Sequence, residues 1–219
     1  MYLPAFSLIL SPGKQGINLK KQKLDGINQL HRKKLEEHFR EEIPLVFGGG
    51  DIESKIVLVG EAPGRTEVEQ GKPFVGQAGK NLEEFINILG ISREDLYITN
   101  VVKFRPVRYN PDTGRESNRT PNRDEIRIST DFIEQELSII KPELVVSLGN
   151  IALKCILKDD KATIGIMHGS PIDVKFAGTE FVLFPLYHPA SIIYNRALKD
   201  VYLQDLHKLR NFMKKIKLI

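Results

Sequence analysis

The sequence predicts an α/β fold in which a mainly parallel central sheet is covered by helices on both faces. Two observations lead to this prediction. Short apolar runs alternate along the chain with longer segments in which apolar residues recur every three or four positions. Uninterrupted apolar runs are typical of strands buried on both sides, and the amphipathic segments between them supply the covering helices. Ligands bind such sheets at the carboxyl ends of the strands.

The individual elements follow from this pattern in chain order. A polar, basic lead-in over residues 1–45 is predicted to be helical, and residues 46–219 form the core of what we expect to be a single domain. Strands are predicted at residues 56–59, 96–104, 143–149, 171–175 and 180–185. Helices are predicted at residues 79–89, 126–140, 150–157 and 198–216. Residues 105–122 are rich in Arg, Asn, Pro and Gly and lack an apolar period, which predicts an irregular loop.

Composition excludes several classes of protein. The 219 residues are 41% hydrophobic and 27% charged, which is ordinary for a globular domain. No apolar run reaches the roughly 18 residues of a membrane span, and the first residues lack a secretory pattern, so we expect a cytoplasmic protein without membrane contact. The single cysteine, Cys155, rules out an internal disulfide and is predicted to be a buried, inert thiol. The formal charge of +4 permits a polyanionic partner.

A glycine-rich segment directly follows the first predicted strand. It reads LVGEAPGRTEVEQGKPFVGQAG and contains five glycines, at positions 60, 64, 71, 76 and 79. The spacing does not match a Walker phosphate-binding loop, because six residues separate Gly64 from Gly71 and Lys72 precedes Pro73. The dinucleotide pattern G-x-G-x-x-G is also missing. The segment is therefore not expected to bind a nucleotide cofactor.

Five motifs in fixed order resemble those of family 4 uracil-DNA glycosylases. They read VLVGEAPG, GKPFVGQAG, YITNVVKFRP, VVSLG and FPLYHPA, and the resemblance extends over residues 46–195. It implies a doubly wound α/β/α sandwich that hydrolyses the N-glycosidic bond of deoxyuridine in DNA and releases free uracil. The glycine-rich segment would then form the floor and wall of a pocket for a base flipped out of the duplex.

The same resemblance assigns two catalytic residues. Glu61 would position or polarise the attacking water and stabilise the cationic sugar, and His188 would donate a hydrogen bond to uracil O2 as charge develops on the departing base. Without the motif, Glu61 would be a surface carboxylate at a turn and His188 a structural histidine.

Four further residues are implied to bind the base. Gly60, like Gly64, would let the backbone approach the base and sugar, and Ala62 is placed in the same binding site. Phe74 would stack on the uracil face, and Asn100 would hold the uracil edge through its amide. The alternatives are that Phe74 is an ordinary core residue and that Asn100 makes a structural hydrogen bond.

Contacts with DNA are expected from the residues around these motifs. Ser191, Ile192 and Ile193 follow His188 in a loop that, in this superfamily, enters the duplex, although packing against the sheet is an equal alternative. Lys80, Arg196 and the arginines of residues 105–123 could contact phosphates. The alternative for each of them is an ordinary solvated side chain, which is the more common case.

The chain departs from the family at the iron–sulfur cluster. Family 4 members usually bind a [4Fe–4S] cluster through four cysteines, and the corresponding positions here hold Lys33, Glu36, Phe104 and Ser129. We therefore expect no cluster, and the histidine spacing indicates no other metal. We also expect a monomer. Two other functions remain open, namely a glycosylase for another deaminated base such as hypoxanthine and a non-catalytic DNA-binding relative.

Overall fold

The computed structural model describes residues 12–195 and 197–219. The strands in these residues are β1 (Gly49–Gly50), β2 (Ile56–Gly60), β3 (Leu96–Asn100), β4 (Val107–Asn110), β5 (Arg115–Asn118), β6 (Leu144–Leu148), β7 (Ile172–Phe176) and β8 (Thr179–Leu186). The helices are α1 (Pro12–Phe39), α2 (Arg65–Gln70), α3 (Gln77–Leu89), α4 (Arg123–Ile140), α5 (Asn150–Leu157), α6 (Ile164–Met167), α7 (Ser191–Tyr194) and α8 (Leu198–Lys215). Six strands form one sheet in the order β1-β3-β2-β6-β8-β7, and β4 pairs with β5.

The sheet is mainly parallel, as predicted. β3, β2, β6 and β8 run in the same direction, and the edge strands β1 and β7 pair antiparallel with their neighbours. Every residue of β2, β3 and β6 is buried, because helices cover both faces of the sheet. The predicted helix at residues 150–157 is confirmed, and the helices predicted at residues 79–89, 126–140 and 198–216 agree to within a few residues at each end. In the lead-in, the described helix ends at Phe39, before the predicted end at residue 45, and residues 1–11 lie outside the described residues.

Alternate residues of each strand face two separate hydrophobic cores. Val57 and Val59 of β2 belong to a core that also contains residues of α1, α4 and α5. Ile56 and Leu58 face a second core, which is completed by α3 and α8. The fold therefore has the three α/β/α layers that the resemblance implies. Cys155 on α5 is buried in the first core, as predicted, and burial raises the pKa of its thiol to about 11.

The part of the lead-in that the structure describes contributes side chains to the first hydrophobic core. α1 packs along α4, and its Leu24 and Leu35 are almost completely buried. No helix in residues 12–195 and 197–219 is long and apolar enough to span a membrane.

The strand predicted at residues 96–104 ends earlier, at Asn100. The chain then turns across the end of β2, where the N–H groups of Val101 and Val102 donate to the carbonyl oxygens of Gly60 and Glu61 over 3.0 Å. The β-branched run continues to Val102 and is fully buried. Composition alone therefore predicts a longer strand than the structure has, because the apolar run continues after the pairing with the sheet stops.

The prediction of an irregular loop over residues 105–122 is wrong, because β4 and β5 form a hairpin there. At its turn, the carbonyl oxygen of Asn110 accepts a hydrogen bond from the N–H of Gly114 over 2.9 Å, and Gly114 adopts a left-handed φ of 64°. Nearly all hairpin residues are exposed. Since neither face is buried, the strands carry no apolar alternation, and the usual sequence signal of a strand is missing.

Candidate active site

A cavity of about 340 Å³ opens at the carboxyl edge of the sheet, beside the ends of β2, β3 and β8. Its lining brings together side chains that lie far apart in the sequence, among them Ala62, Phe74, Asn100, Asn118 and His188. Four residues that the resemblance assigns to a base pocket therefore share one cavity. This is the edge at which ligands bind parallel α/β sheets.

Gly60 leaves room for two of these side chains. It is the last residue of β2 and is the register partner of Asn100 in β3. A Cβ placed on Gly60 would lie 2.6 Å from Cζ of the Phe74 ring and would also collide with the amide oxygen of Asn100. The absence of a side chain at Gly60 is therefore what allows the ring and the amide to meet at the floor of the cavity.

The Phe74 ring is held by an unusual backbone. Phe74 has a φ of 53°, in the left-handed region that non-glycine residues rarely adopt, which costs about 1 kcal/mol or more. The guanidinium group of Arg93 donates to the carbonyl oxygens of Pro73 over 2.8 Å and Phe74 over 3.1 Å. Gly79 of α3 packs directly on the Phe74 main chain, where a Cβ would collide with the carbonyl group.

Asn100 presents a buried amide to the cavity. The residue is 2% exposed, and its hydrogen bonds in the described part of the chain are made by its main chain. Its carbonyl oxygen accepts a hydrogen bond from Lys103 Nζ over 2.8 Å. Lys103 in turn forms a buried ion pair of 2.7 Å with Glu136, which also accepts a hydrogen bond from Thr99. This network fixes the end of β3, and the amide of Asn100 is left for a ligand.

His188 follows β8 and lies beside the aromatic ring at the cavity floor. The ring centroids of Phe74 and His188 are 5.8 Å apart, with an interplanar angle of 31°. The N–H of Ala190 donates to His188 Nδ1 over 3.1 Å, so a neutral imidazole carries its proton on Nε2. Burial lowers the pKa of His188 to about 4. The ring is therefore neutral at pH 7 and can act as a hydrogen-bond donor through Nε2.

Glu61 lies next to the cavity but does not line it. Among the described residues, the lining includes its neighbour Ala62, while Glu61 itself is half-buried just beyond Gly60. Burial raises the pKa of the Glu61 carboxyl group, since the charged form loses hydration. A partly buried carboxylate beside the cavity can stabilise positive charge and accept a proton.

Several residues that hold the site together were not predicted from the sequence, and the first of these is Glu67. Glu67 is a buried carboxylate that accepts hydrogen bonds from the N–H groups of Gly64 (3.2 Å), Val75 (3.2 Å) and Gly76 (2.8 Å). It therefore joins the two ends of the glycine-rich segment. Its position three residues after Gly64 is that of the acidic residue in a capping box, a signal that could have revealed it.

The second such residue is Asn81 on α3. Its Nδ2 donates to the carbonyl oxygen of Pro189 over 2.9 Å and so fastens the loop that carries His188. No simple sequence signal points to this contact, because the two residues lie 108 positions apart.

The residues predicted to contact DNA have different placements. Lys80 is exposed on α3. Ser191 and Ile192 are half-buried in α7, and Ile192 packs against the second core. The main chain of Ile193 also belongs to α7, but its side chain lies outside the description, and Arg196 lies outside the described residues.

The side chains at the cluster positions do not fit a four-thiolate site. The ring of Phe104 packs edge-on against Phe39 with centroids 4.9 Å apart, beside a cavity of about 460 Å³. Lys33 is exposed, Glu36 is half-buried and Ser129 is fully buried. Within residues 12–195 and 197–219, no group of three or more histidine, cysteine or acidic side chains could hold a metal ion.

Comparison with known proteins identifies the family. The chain matches the family described as the uracil DNA glycosylase superfamily over residues 47–209. It is 39% identical over 173 residues to the type-4 uracil-DNA glycosylase of Thermotoga maritima. The aligned region covers 78% of this chain and 84% of that relative. The type-4 uracil-DNA glycosylase of Sulfurisphaera tokodaii is 37% identical, over 75% of this chain and 73% of the relative. That of Saccharolobus solfataricus is 34% identical, over 85% of this chain and 82% of the relative. The chain therefore belongs to the uracil DNA glycosylase superfamily, in the family of the type-4 uracil-DNA glycosylases.

Proposed function

We propose that the protein removes uracil from DNA by hydrolysing the N-glycosidic bond of deoxyuridine, which leaves an abasic site for base-excision repair. One observation carries the proposal: the buried amide of Asn100, the Phe74 ring and a neutral His188 meet in a single cavity at the carboxyl edge of the sheet. The cavity can accept one pyrimidine, and the family match supplies the reaction class.

Recognition of the base depends on Asn100 and Phe74. The amide of Asn100 donates from Nδ2 to uracil O4 and accepts from N3–H at Oδ1. Cytosine presents the opposite pattern at these two positions, so it would leave the buried amide unpaired. The Phe74 ring stacks on the uracil face, and stacking of this kind contributes about 1–3 kcal/mol.

Departure of the base depends on His188. As the bond between C1′ and N1 breaks, its electron pair moves into the uracil ring and negative charge grows on O2. The Nε2–H of neutral His188 donates to this oxygen, and its hydrogen bond strengthens as the charge develops. Loss of one such donor typically slows a reaction by about 10²–10³-fold.

Capture of the sugar depends on Glu61. The carboxylate stabilises the positive charge that the sugar acquires when uracil leaves. A water molecule then attacks C1′, and its proton passes to Glu61, whose raised pKa makes it a better proton acceptor than an ordinary carboxylate.

The proposal is tested with single- and double-stranded oligonucleotides that contain uracil, hypoxanthine or thymine, with alkaline cleavage to reveal abasic sites. We expect cleavage at uracil only. His188→Gln and Asn100→Ala should slow excision by about 10²-fold or more while the protein stays folded, and His207→Gln, on the exposed side of α8, is the matched control. Cleavage at hypoxanthine alone would assign the pocket to another deaminated base. No cleavage at any base would favour the alternative of a non-catalytic DNA-binding relative.

The proposal includes no iron–sulfur cluster. It is supported by the four non-cysteine side chains at the cluster positions and by the presence of a single cysteine in the chain. Purified protein should be colourless and contain no stoichiometric iron by metal analysis. A brown preparation with one cluster per chain would contradict it.

A further inference from the structure

We propose that Arg93 is a positioning residue for base recognition, because its guanidinium group holds the main chain of Phe74 in the left-handed conformation that places the ring at the floor of the cavity. The inference rests on the proposed function, in which this ring stacks on uracil. Among the described residues, Arg93 is not part of the cavity lining, so it acts on the base through Phe74 and not by direct contact.

The guanidinium group of Arg93 bridges two segments of the chain. Its Nη2 donates to the carbonyl oxygens of Pro73 over 2.8 Å and Phe74 over 3.1 Å. Its Nη1 donates to the carboxylate of Glu83 on α3 over 3.1 Å. A planar guanidinium group can serve acceptors in different directions from separate nitrogen atoms, whereas a lysine has only one nitrogen. The three contacts therefore fix the plane of the group and, with it, the two carbonyl groups of the aromatic segment.

Arg93 extends from a point that the fold keeps in place. It begins a short 3₁₀ helix, Arg93–Asp95, in which the carboxylate of Asp95 accepts a hydrogen bond from the N–H of Ser92 over 2.9 Å. β3 starts at the next residue, Leu96, which is fully buried. The arginine therefore ties the chain around the aromatic ring to the central sheet.

The segment around Phe74 depends on such support. Its φ of 53° is unfavourable for a residue that carries a side chain. Lys72, Pro73 and Val75 line a second cavity, of about 320 Å³, together with Arg93, so part of the segment borders open space and not packed side chains. Hydrogen bonds from a charged donor are stronger than those from a neutral one, and two of them can offset the backbone strain. Without the guanidinium group, the main chain of Phe74 would relax.

The ring has little room to follow such a change without loss of function. A Cβ on Gly60 would lie 2.6 Å from Cζ of Phe74, so the ring lies directly against the main chain of β2. Its centroid is 5.8 Å from that of His188. Relaxation of the main chain would move the ring off its support on β2 and would change the surface on which the base stacks.

The first test separates base recognition from general DNA binding. Two oligonucleotides are compared by fluorescence anisotropy. One contains 2′-fluoro-2′-deoxyuridine, whose N-glycosidic bond resists hydrolysis, and the other contains a tetrahydrofuran abasic analogue at the same position. Arg93→Met should bind the uracil-containing DNA about tenfold more weakly than the wild type, a loss within the range of one stacking contact, and should bind the abasic analogue as the wild type does.

Two further variants separate the positioning role from the charge of Arg93. Arg93→Lys keeps the positive charge but cannot reach the three acceptors from separate nitrogen atoms, so it should resemble Arg93→Met. Arg127→Met is the matched control, because it also removes one positive charge. Arg127 is exposed on α4 and does not line the active-site cavity, so this variant should behave as the wild type. Urea unfolding of each variant establishes that it is folded under the assay conditions.

The decisive result is coupling between Arg93 and the aromatic ring. In single turnovers at saturating enzyme, Arg93→Met should slow uracil excision by the otherwise wild-type protein about tenfold, because the base is no longer held in the reactive geometry. In a Phe74→Ala background, where no ring remains to be placed, the same change should alter the rate by about twofold or less. A purely structural role of Arg93 would give the same loss in both backgrounds.

Three outcomes overturn the inference: a normal excision rate in Arg93→Met, equal losses in the two backgrounds, or equal weakening of binding to both oligonucleotides. The last result, with recovery in Arg93→Lys, would assign Arg93 to a phosphate contact, which would also lower the salt dependence of binding. Wild-type protein that releases no uracil would refute the proposed function instead. The comparison of the two oligonucleotides would then still decide whether Arg93 acts on base recognition.

Discussion

The amide of Asn100 occupies the space into which a side chain on Gly60 would project. The two residues are register partners at the ends of β2 and β3. Gly60 does not have a left-handed backbone, so an alanine could adopt its conformation without strain. The requirement for glycine comes from the neighbouring side chains alone, and it can be tested without changing the backbone.

Gly60→Ala should push the Asn100 amide and the Phe74 ring away from the base. We expect uracil excision to slow by about 10²-fold and the free energy of unfolding to fall by about 1–3 kcal/mol, the usual cost of overpacking. Single-turnover excision and urea unfolding measure the two effects. Gly49→Ala is the control, because a Cβ at Gly49 would meet nothing within 4 Å. Normal excision by Gly60→Ala would show that base recognition does not depend on this packing.

Glu67→Gln should loosen the glycine-rich segment. One carboxylate oxygen of Glu67 accepts from the N–H groups of Val75 and Gly76, and the other accepts from Gly64. Glutamine can keep the first pair, but its NH₂ group would then face the N–H of Gly64, donor against donor. We expect a loss of about 1–3 kcal/mol of stability and weaker binding of uracil-containing DNA.

Unfolding in urea and anisotropy measure the two effects of Glu67→Gln. The matched control is Glu69→Gln, an exposed position on the same short helix. If both variants lose the same amount of stability, the buried contacts of Glu67 do not hold the segment.

The layers and the pocket motifs could be predicted from the sequence, because both leave local signals. Buried parallel strands such as Ile56–Gly60 are apolar throughout, and the helices that cover them show an apolar stripe. Phe74, Asn100 and His188, which line the cavity, stand in contiguous motifs next to those strands. Their assignment to one pocket depended on the resemblance, since no local pattern reveals that they meet.

The contacts that support the pocket could not be predicted, for physical reasons. The hairpin of β4 and β5 is exposed on both faces, so it carries no apolar alternation, and with it Asn118 went unnoticed. Glu67 and Lys103 are charged, so the sequence predicts that they lie at the surface. Both are buried nevertheless, because they have hydrogen-bond or ion-pair partners inside the protein. Burial of this kind depends on the three-dimensional arrangement of hydrogen-bond partners.

The rate of excision should fall on acidification because of Glu61. Only its carboxylate form can stabilise the sugar and accept a proton, and burial raises its pKa above the ordinary value of 4.5. His188 stays neutral through this range, because its pKa is about 4. The acid limb of the single-turnover rate should therefore have a midpoint above 4.5.

Glu61→Gln should give a slow rate without this limb, whereas His188→Gln should be slow but keep it. An unchanged limb in Glu61→Gln would contradict the role of Glu61.

His31 makes the fold sensitive to acid at a site that does not line the active-site cavity. Its ring stacks on Phe132, with centroids 3.9 Å apart and an interplanar angle of 4°. The side chain is buried, and its Nε2 has no hydrogen-bond partner among the described residues. Burial, together with the positive charges of Lys103 and Lys34, lowers the pKa of His31 to about 3.

The pKa of His31 predicts the direction of the acid effect. Between about pH 6.5 and 3 the unfolded chain binds a proton at His31 and the folded chain does not, so the free energy of unfolding falls as the pH is lowered. His31→Phe keeps the stacking on Phe132 and removes the titration. Urea unfolding at about pH 7.5 and 4.5 should show that wild type loses about 2–3 kcal/mol more than the variant, at about 1.4 kcal/mol per pH unit. Contributions from other groups, including His188, cancel in this comparison. Equal losses in both proteins would mean that His31 takes up its proton over the same pH range in the folded and the unfolded chain, which would contradict the lowered pKa.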